Sequence, residues 1–88
     1  MPLMSMIAHV GEPVRLLLDA GRPSRFYWGE RWVVTSAEPD GFDYLGDETR
    51  VASWHVAAQT EDQSDAAVFE LTRDYAAGGW VLDSIAYA

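Results

Sequence analysis

Short apolar runs alternate with polar residues along this chain, and glycine or proline breaks them at short intervals. Val14, Leu16 and Leu18 alternate with Arg15, Leu17 and Asp19, just after Gly11 and Pro13. Successive side chains of a strand point to opposite faces, so this alternation predicts a first strand. Ala20 to Pro23 reads as a turn. Ser24 to Trp28 and Arg31 to Ala37 follow, rich in the aromatic and β-branched residues that pleated sheets accommodate. Arg50 to Ala58 sends Ala52, Trp54, Val56 and Ala58 to one face and Ser53 and His55 to the other. Ala67 to Tyr75 gathers Phe69, Leu71 and Tyr75 on one side. After the turn signal Gly78-Gly79 comes Trp80 to Tyr87, whose apolar positions change phase between Leu82 and Ile85. A phase change at Asp83-Ser84 is what a β-bulge produces, because one extra residue flips the faces that follow.

The junction Trp28-Gly29-Glu30-Arg31 carries a sharper signal. A two-residue loop with glycine first fits a type II′ hairpin. That register sets Trp28 opposite Arg31, Tyr27 opposite Trp32 and Phe26 opposite Val33. Opposed residues share a face. Phe26, Trp28 and Val33 are then expected on one face, and Arg25, Tyr27, Trp32 and Val34 on the other. Glu38 to Glu48 shows no period and reads as a loop around Pro39-Asp40-Gly41 and Gly46-Asp47. Thr60 to Asp65 reads as a second acidic loop. Thr60 and Gln63 also have the spacing of a helix capping box, so a short helix near 61–67 is the competing element there.

Six short strands separated by turns predict an all-β fold, a small antiparallel meander or SH3-like barrel. Eighty-eight residues suffice for a single domain. It is expected over residues 11–88, after an N-terminal segment 1–10. The chain contains no cysteine, so its stability must come from packed side chains rather than disulfides. A 49% hydrophobic content with four tryptophans supplies them and places the chain outside the disordered class.

Charge narrows the function. Fourteen acids against six bases leave a net charge of −8. All the bases are arginine, and lysine and asparagine are both missing. That bias suggests a GC-rich bacterial source. An acidic surface repels phosphate backbones, so nucleic acid is not the expected partner. No run approaches the roughly 20 apolar residues that span a bilayer. Met1 to Val10 lacks the basic start and cleavage signal of a secretory leader. A cytoplasmic location is expected, with no membrane.

The chemistry of a catalytic or metal site is thinly represented. There is no thiol and no Gly-x-Ser-x-Gly elbow, and His9 and His55 lie in different contexts. Reviving an enzyme would take a pocket that gathers His55 with two acids. Asp40, Asp43, Asp47 and Glu48 crowd one loop, but their spacing does not match a calcium-binding loop. Neither a cofactor nor a metal is expected. What stands out is Arg22, Arg25, Tyr27, Arg31 and Trp32, which interleave three of the six bases with aromatics. Arginine, tyrosine and tryptophan dominate the binding energy of protein interfaces. Single-stranded nucleic acid is gripped by the same residue types. The plainer alternative is that these aromatics cover the barrel wall, with arginine stems lying over them.

Glu12-Pro13-Val14, the segment Gly21 to Trp28, Arg31-Trp32, Phe69 to Asp74 and Gly79-Trp80-Val81-Leu82 together resemble a small actinobacterial domain family of no assigned activity. Its pattern is Pro-Val-x-Val, then Gly-Arg-Pro-x-x-Phe-x-Trp-x-Gly-Arg, then Tyr-x-Leu-x-Arg-Asp and Gly-x-Trp-x-Leu. The resemblance spans most of residues 12–83 in short pieces. This chain departs from it at the hairpin. Its glycine stands one place earlier, with Glu30 in the family's position, and the family's extra arginine is missing. The resemblance implies an accessory role beside error-prone polymerase genes. From residues and resemblance together, the expected function is a non-enzymatic protein-interaction module, an adaptor tied to DNA-damage tolerance. The alternative is a barrel that binds a small ligand or single-stranded nucleic acid. Open sheet edges would also allow a homodimer.

Overall fold

The computed structural model describes residues 7–46 and 48–87. The strands are β1 (Ile7–Asp19), β2 (Arg22–Trp28), β3 (Glu30–Leu45), β4 (Glu48–Thr60), β5 (Ala66–Asp74) and β6 (Gly79–Tyr87). Each pairs antiparallel with the next, and β6 returns to β1, so the meander closes into a six-stranded barrel. Closure gives the outermost strands partners and removes the edges an open meander would leave. Residues 7–10 belong to β1, where Ile7 to His9 pair with β6. The rest of the expected N-terminal segment, positions 1–6, lies outside the described residues.

The inward-facing positions are those the alternation marked. Trp54, Val56 and Ala58 of β4, Phe69 and Leu71 of β5, and Trp80, Leu82 and Ile85 of β6 are buried. Phe69 sits at the centre. Its ring meets Phe26 and Trp32 edge-on, each at 4.8 Å between centroids, and Trp28 at 6.4 Å. Edge-to-face geometry sets the positive rim of one ring against the negative face of the next. The expected bulge is present: Leu71 pairs with Leu82 but Glu70 pairs with Ser84, which leaves Asp83 as the extra residue.

The β2–β3 hairpin differs from its expected register by one residue. Trp28 pairs with Glu30, Tyr27 with Arg31, Phe26 with Trp32 and Arg25 with Val33. Gly29 alone makes the connection, at a φ of 71° that favours glycine. A one-residue slip flips every side chain of the second strand. Trp32 therefore turns inward beside Phe26 and is 2% exposed, while Val33 joins Arg25, Tyr27 and Arg31 outside. The register that hides an indole displaces the one that would hide a valine, because the larger ring removes more apolar surface from water.

Three further expectations are corrected. The stretch expected as a loop over 38–48 is strand from Glu38 to Leu45, and β3 and β4 stay paired down to Leu45 opposite Glu48. From Phe42 opposite Val51 to that tip, no other strand pairs with them, so the hairpin extends past the barrel as a two-stranded arm. No helix forms near 61–67. Thr60 accepts from Gln63 N–H and donates its own to Asp65, forming a tight turn, and Ala66 begins β5. Leu18 and Tyr75 are 44% and 52% exposed rather than core. A register shift after Leu17 turns Leu18 aside, and Tyr75 lies beyond the end of β5.

Candidate binding face

Arg15, Tyr27 and Arg31 form one row across the outside of β1, β2 and β3, because Arg15 pairs with Tyr27 and Tyr27 with Arg31. Leu17, Arg25 and Val33 form the neighbouring row. Between them runs a groove of about 680 Å³ lined by Pro13, Arg15, Leu17, Arg25, Phe26, Tyr27 and Arg31. No carboxylate lines it. Tyr27 is 54% and Leu17 48% exposed, so apolar surface faces water there. Arg31 reaches Glu61 at 3.8 Å, an exposed pairing that solvent and salt weaken. Half of the chain's bases thus converge on a single face of an acidic molecule.

Of the five residues singled out from the sequence, Arg25, Tyr27 and Arg31 lie on this face. Arg22 and Trp32 do not. Trp32 is core, and its indole N–H donates to the Trp28 carbonyl at 3.1 Å. Arg22 lies where β2 and β3 no longer pair. Its guanidinium donates to the Ala37 carbonyl and lies over the Trp54 ring, 5.5 Å from the centroid. There the cation bridges the gap between two strands. Arg73 does related work nearby, 4.5 Å over Trp80 and donating to the Val51 carbonyl at 3.4 Å. Its buried Nε has no acceptor, so the electron-rich ring face is its compensation.

Arg15 and Leu17 are the residues sequence reasoning missed. The alternation put both on the polar face of the first run, but their neighbours depend on a bulge. Asp19 pairs with Arg22 across Ala20-Gly21, yet Leu17 pairs with Arg25, so Ser24 is one residue too many. Its hydroxyl donates to the Leu17 carbonyl at 3.3 Å. Were Ser24 paired in the ladder instead of bulged, Arg15 would face Phe26 rather than Tyr27.

A second, smaller cavity of about 450 Å³ opens at the barrel mouth between Glu12, Trp28, Gly29, Glu30, Trp32, Asp65 and Tyr87. Trp28 donates its indole N–H to Glu12 at 2.8 Å across this mouth. His55 lies in neither cavity. It stands on the outside of β4 in a row that runs Glu38, His55, Glu70, Ser84, His9 across β3, β4, β5, β6 and β1. Its Nδ1 meets Glu70 Oε1, and that hydrogen bond, with the Glu70, Asp40 and Glu38 charges, raises the imidazole above its ordinary pKa. Glu70 is itself raised, chiefly by burial and next by Asp40. His55 thus does gather two acids, but on an open convex surface with a half-exposed ring. Among the described residues no group of three or more His, Asp or Glu is placed to hold a metal ion.

The acidic turn after β4 is internally bonded. Asp62 accepts from the Ser64 hydroxyl at 2.7 Å, the Ser64 N–H at 3.0 Å and the Thr60 hydroxyl at 2.8 Å. These donors, Ser64 foremost, hold the carboxyl down to a pKa of about 2. No helix among the described residues is long and apolar enough to cross a membrane. Comparison with protein-family models, curated proteins and solved structures finds no match to this chain.

Proposed function

We propose that this protein is a non-enzymatic, cytoplasmic interaction module whose β1–β3 face docks an acidic, aromatic-bearing segment of a partner protein. The observation that carries this reading is the row Arg15–Tyr27–Arg31 with Arg25 beside it, in a groove free of carboxylates on a chain of net charge −8. Guanidinium forks match carboxylates in shape and offer paired donors. Tyr27 adds a rigid ring that needs little ordering on contact. The resemblance to a domain family found beside error-prone polymerase genes suggests DNA-damage tolerance as the setting.

The test is titration of the protein with a synthetic peptide of alternating Glu and Tyr, followed by tryptophan fluorescence or calorimetry. Saturable binding is expected, weakened about tenfold or more, roughly 1.4 kcal/mol, by Arg15→Ala with Arg31→Ala. Equal binding by wild type and variant would refute the assignment. The second reading rests on the half-exposed Tyr27 ring between two arginines, an arrangement on which a base can stack. A single-stranded oligonucleotide that binds with a steep salt slope, while the peptide does not, would replace the protein partner with nucleic acid.

A further inference from the structure

We infer that the smaller cavity, at the barrel mouth, is a binding site for a methylated ammonium group. It shares no residue with the arginine groove and does not depend on the docking reading.

The carboxylates of this cavity stand where strand alternation calls for apolar side chains. Directly opposed strand residues share a face. Glu12 is opposite the buried Leu82, and Tyr87 is opposite the buried Ala67. Glu30 is opposite Trp28, on the side of the hairpin that carries Phe26 and Trp32 inward. Asp65 lies two residues before Ala67, and its carbonyl still accepts from the Thr60 N–H as a ladder residue would. Inward positions of several strands thus bring Glu12, Glu30 and Asp65 to one opening with Trp28, Trp32 and Tyr87, and no base lines it.

Folding gains nothing from this arrangement, because like charges near one another repel and cover no core. Among the described residues neither the Glu30 nor the Asp65 carboxylate has a hydrogen-bond or ion-pair partner. Arg31, next to Glu30 in sequence, belongs to the outer row with Tyr27. Positions 1–6 contain no basic side chain. The cation that would balance the cavity therefore comes from outside the chain.

The rings decide which cation. The Trp28 indole N–H donates to Glu12 at 2.8 Å, and its ring stands at 76° to Phe69. Trp32 closes the floor against Phe69, and the half-exposed Tyr87 ring borders the opening. Aromatic faces attract cations, tryptophan most strongly, and they suit quaternary ammonium groups. A plain lysine ammonium is strongly hydrated and gives up its water reluctantly. A hard metal ion demands a shell of oxygens, which ring walls do not supply. At about 450 Å³ the cavity has the size of a small-ligand pocket.

Choline is the probe, and nitrogen–proton correlation NMR reads the indole N–H signals of the four tryptophans. Choline is expected to move the Trp28 signal saturably, with a Kd on the order of 1–10 mM. Trp54 and Trp80 lie further down β4 and β6, away from the mouth, and their signals should stay in place. Sodium chloride at equal ionic strength should not reproduce the shift, nor should neohexyl alcohol, the neutral analogue with carbon in place of nitrogen. Glu30→Gln with Asp65→Asn is expected to weaken binding about threefold or more at low salt. Tyr87→Leu should weaken it about two- to fivefold. Both variants should keep the wild-type thermal transition. Arg15→Ala with Arg31→Ala should leave choline binding unchanged, which separates this site from the groove. A peptide carrying trimethyllysine tells the source of the group. Binding about tenfold tighter than choline, lost in the unmodified peptide, marks a protein side chain, and binding no tighter marks a free small cation. No saturable shift up to about 100 mM choline, an equal shift with neohexyl alcohol, or unchanged affinity in both cavity variants would overturn the inference.

Discussion

Phe26 of β2 and Trp32 of β3 stand directly opposite each other inside the barrel, with ring planes 9° apart and centroids separated by 6.2 Å. Tyr27 and Arg31, one residue along on each strand, form the adjacent pair outside. The same hairpin therefore builds the core with one set of residues and the candidate binding face with the other.

Substitution should separate the two sets. Trp32→Ala removes a buried indole that touches Phe26 and Phe69, and is expected to cost about 3–5 kcal/mol, a large part of a small domain's stability. Tyr27→Ala, at a half-exposed position, is expected to stay within about 0.5 kcal/mol of wild type. Urea unfolding monitored by far-UV circular dichroism measures both. Comparable losses at the two positions would contradict the observed register.

Ala20 begins the two-residue turn between β1 and β2 with a φ of 52°, and Gly21 completes it at 79°. Positive φ at both positions is the requirement of a type I′ turn, where asparagine is favoured first and alanine is not. Ala20→Asn is expected to raise stability by roughly 0.5–1 kcal/mol, seen as a higher thermal midpoint. Ala20→Val should lower it.

The His55–Glu70 pair gives stability a definite slope with pH. Both groups bind protons more tightly in the folded chain than in the unfolded one, His55 through its bond to Glu70 and Glu70 through burial. A raised histidine contributes fully below its unfolded value of 6.5 and loses that contribution as pH climbs through the folded value. Glu70 acts in the same direction from its ordinary 4.5 upward. The thermal midpoint should therefore fall as pH rises above 6.5, and His55→Gln should flatten that part of the profile. A midpoint that rises over the same interval in wild type would contradict the pairing.

Asp62 works in the opposite direction. Its carboxyl, held near a pKa of 2 by Ser64 and Thr60, supports the turn above its ordinary value of 3.8. That support fades as pH falls from 3.8 toward 2. Asp62→Asn should move acid unfolding, followed by tryptophan fluorescence, to higher pH. An unchanged acid midpoint would leave the hydrogen-bonded turn without energetic weight.

Much of this architecture was legible in the sequence. Alternation of Trp54, Val56 and Ala58 with Ser53 and His55 fixed which side of β4 is core, because a strand has two faces and only one can be buried here. The change of phase around Asp83 announced its bulge for the same reason. Glycine, proline and charge located the turns and singled out the arginine-rich hairpin. Tertiary structure decided what period-2 patterning leaves open, namely which strand lies beside which and in what register. Gly29 alone, rather than Gly29 with Glu30, connects β2 to β3, and that one residue sent Trp32 into the core. Ser24, the extra residue of β2, set Arg15 beside Tyr27 and completed the groove. Residues 38–45, aperiodic in sequence, became strand, and their far end an arm, because backbone pairing with β4 needs no apolar pattern. Local sequence determines the faces of a strand; only the closed barrel, satisfying every pairing at once, determines which faces meet.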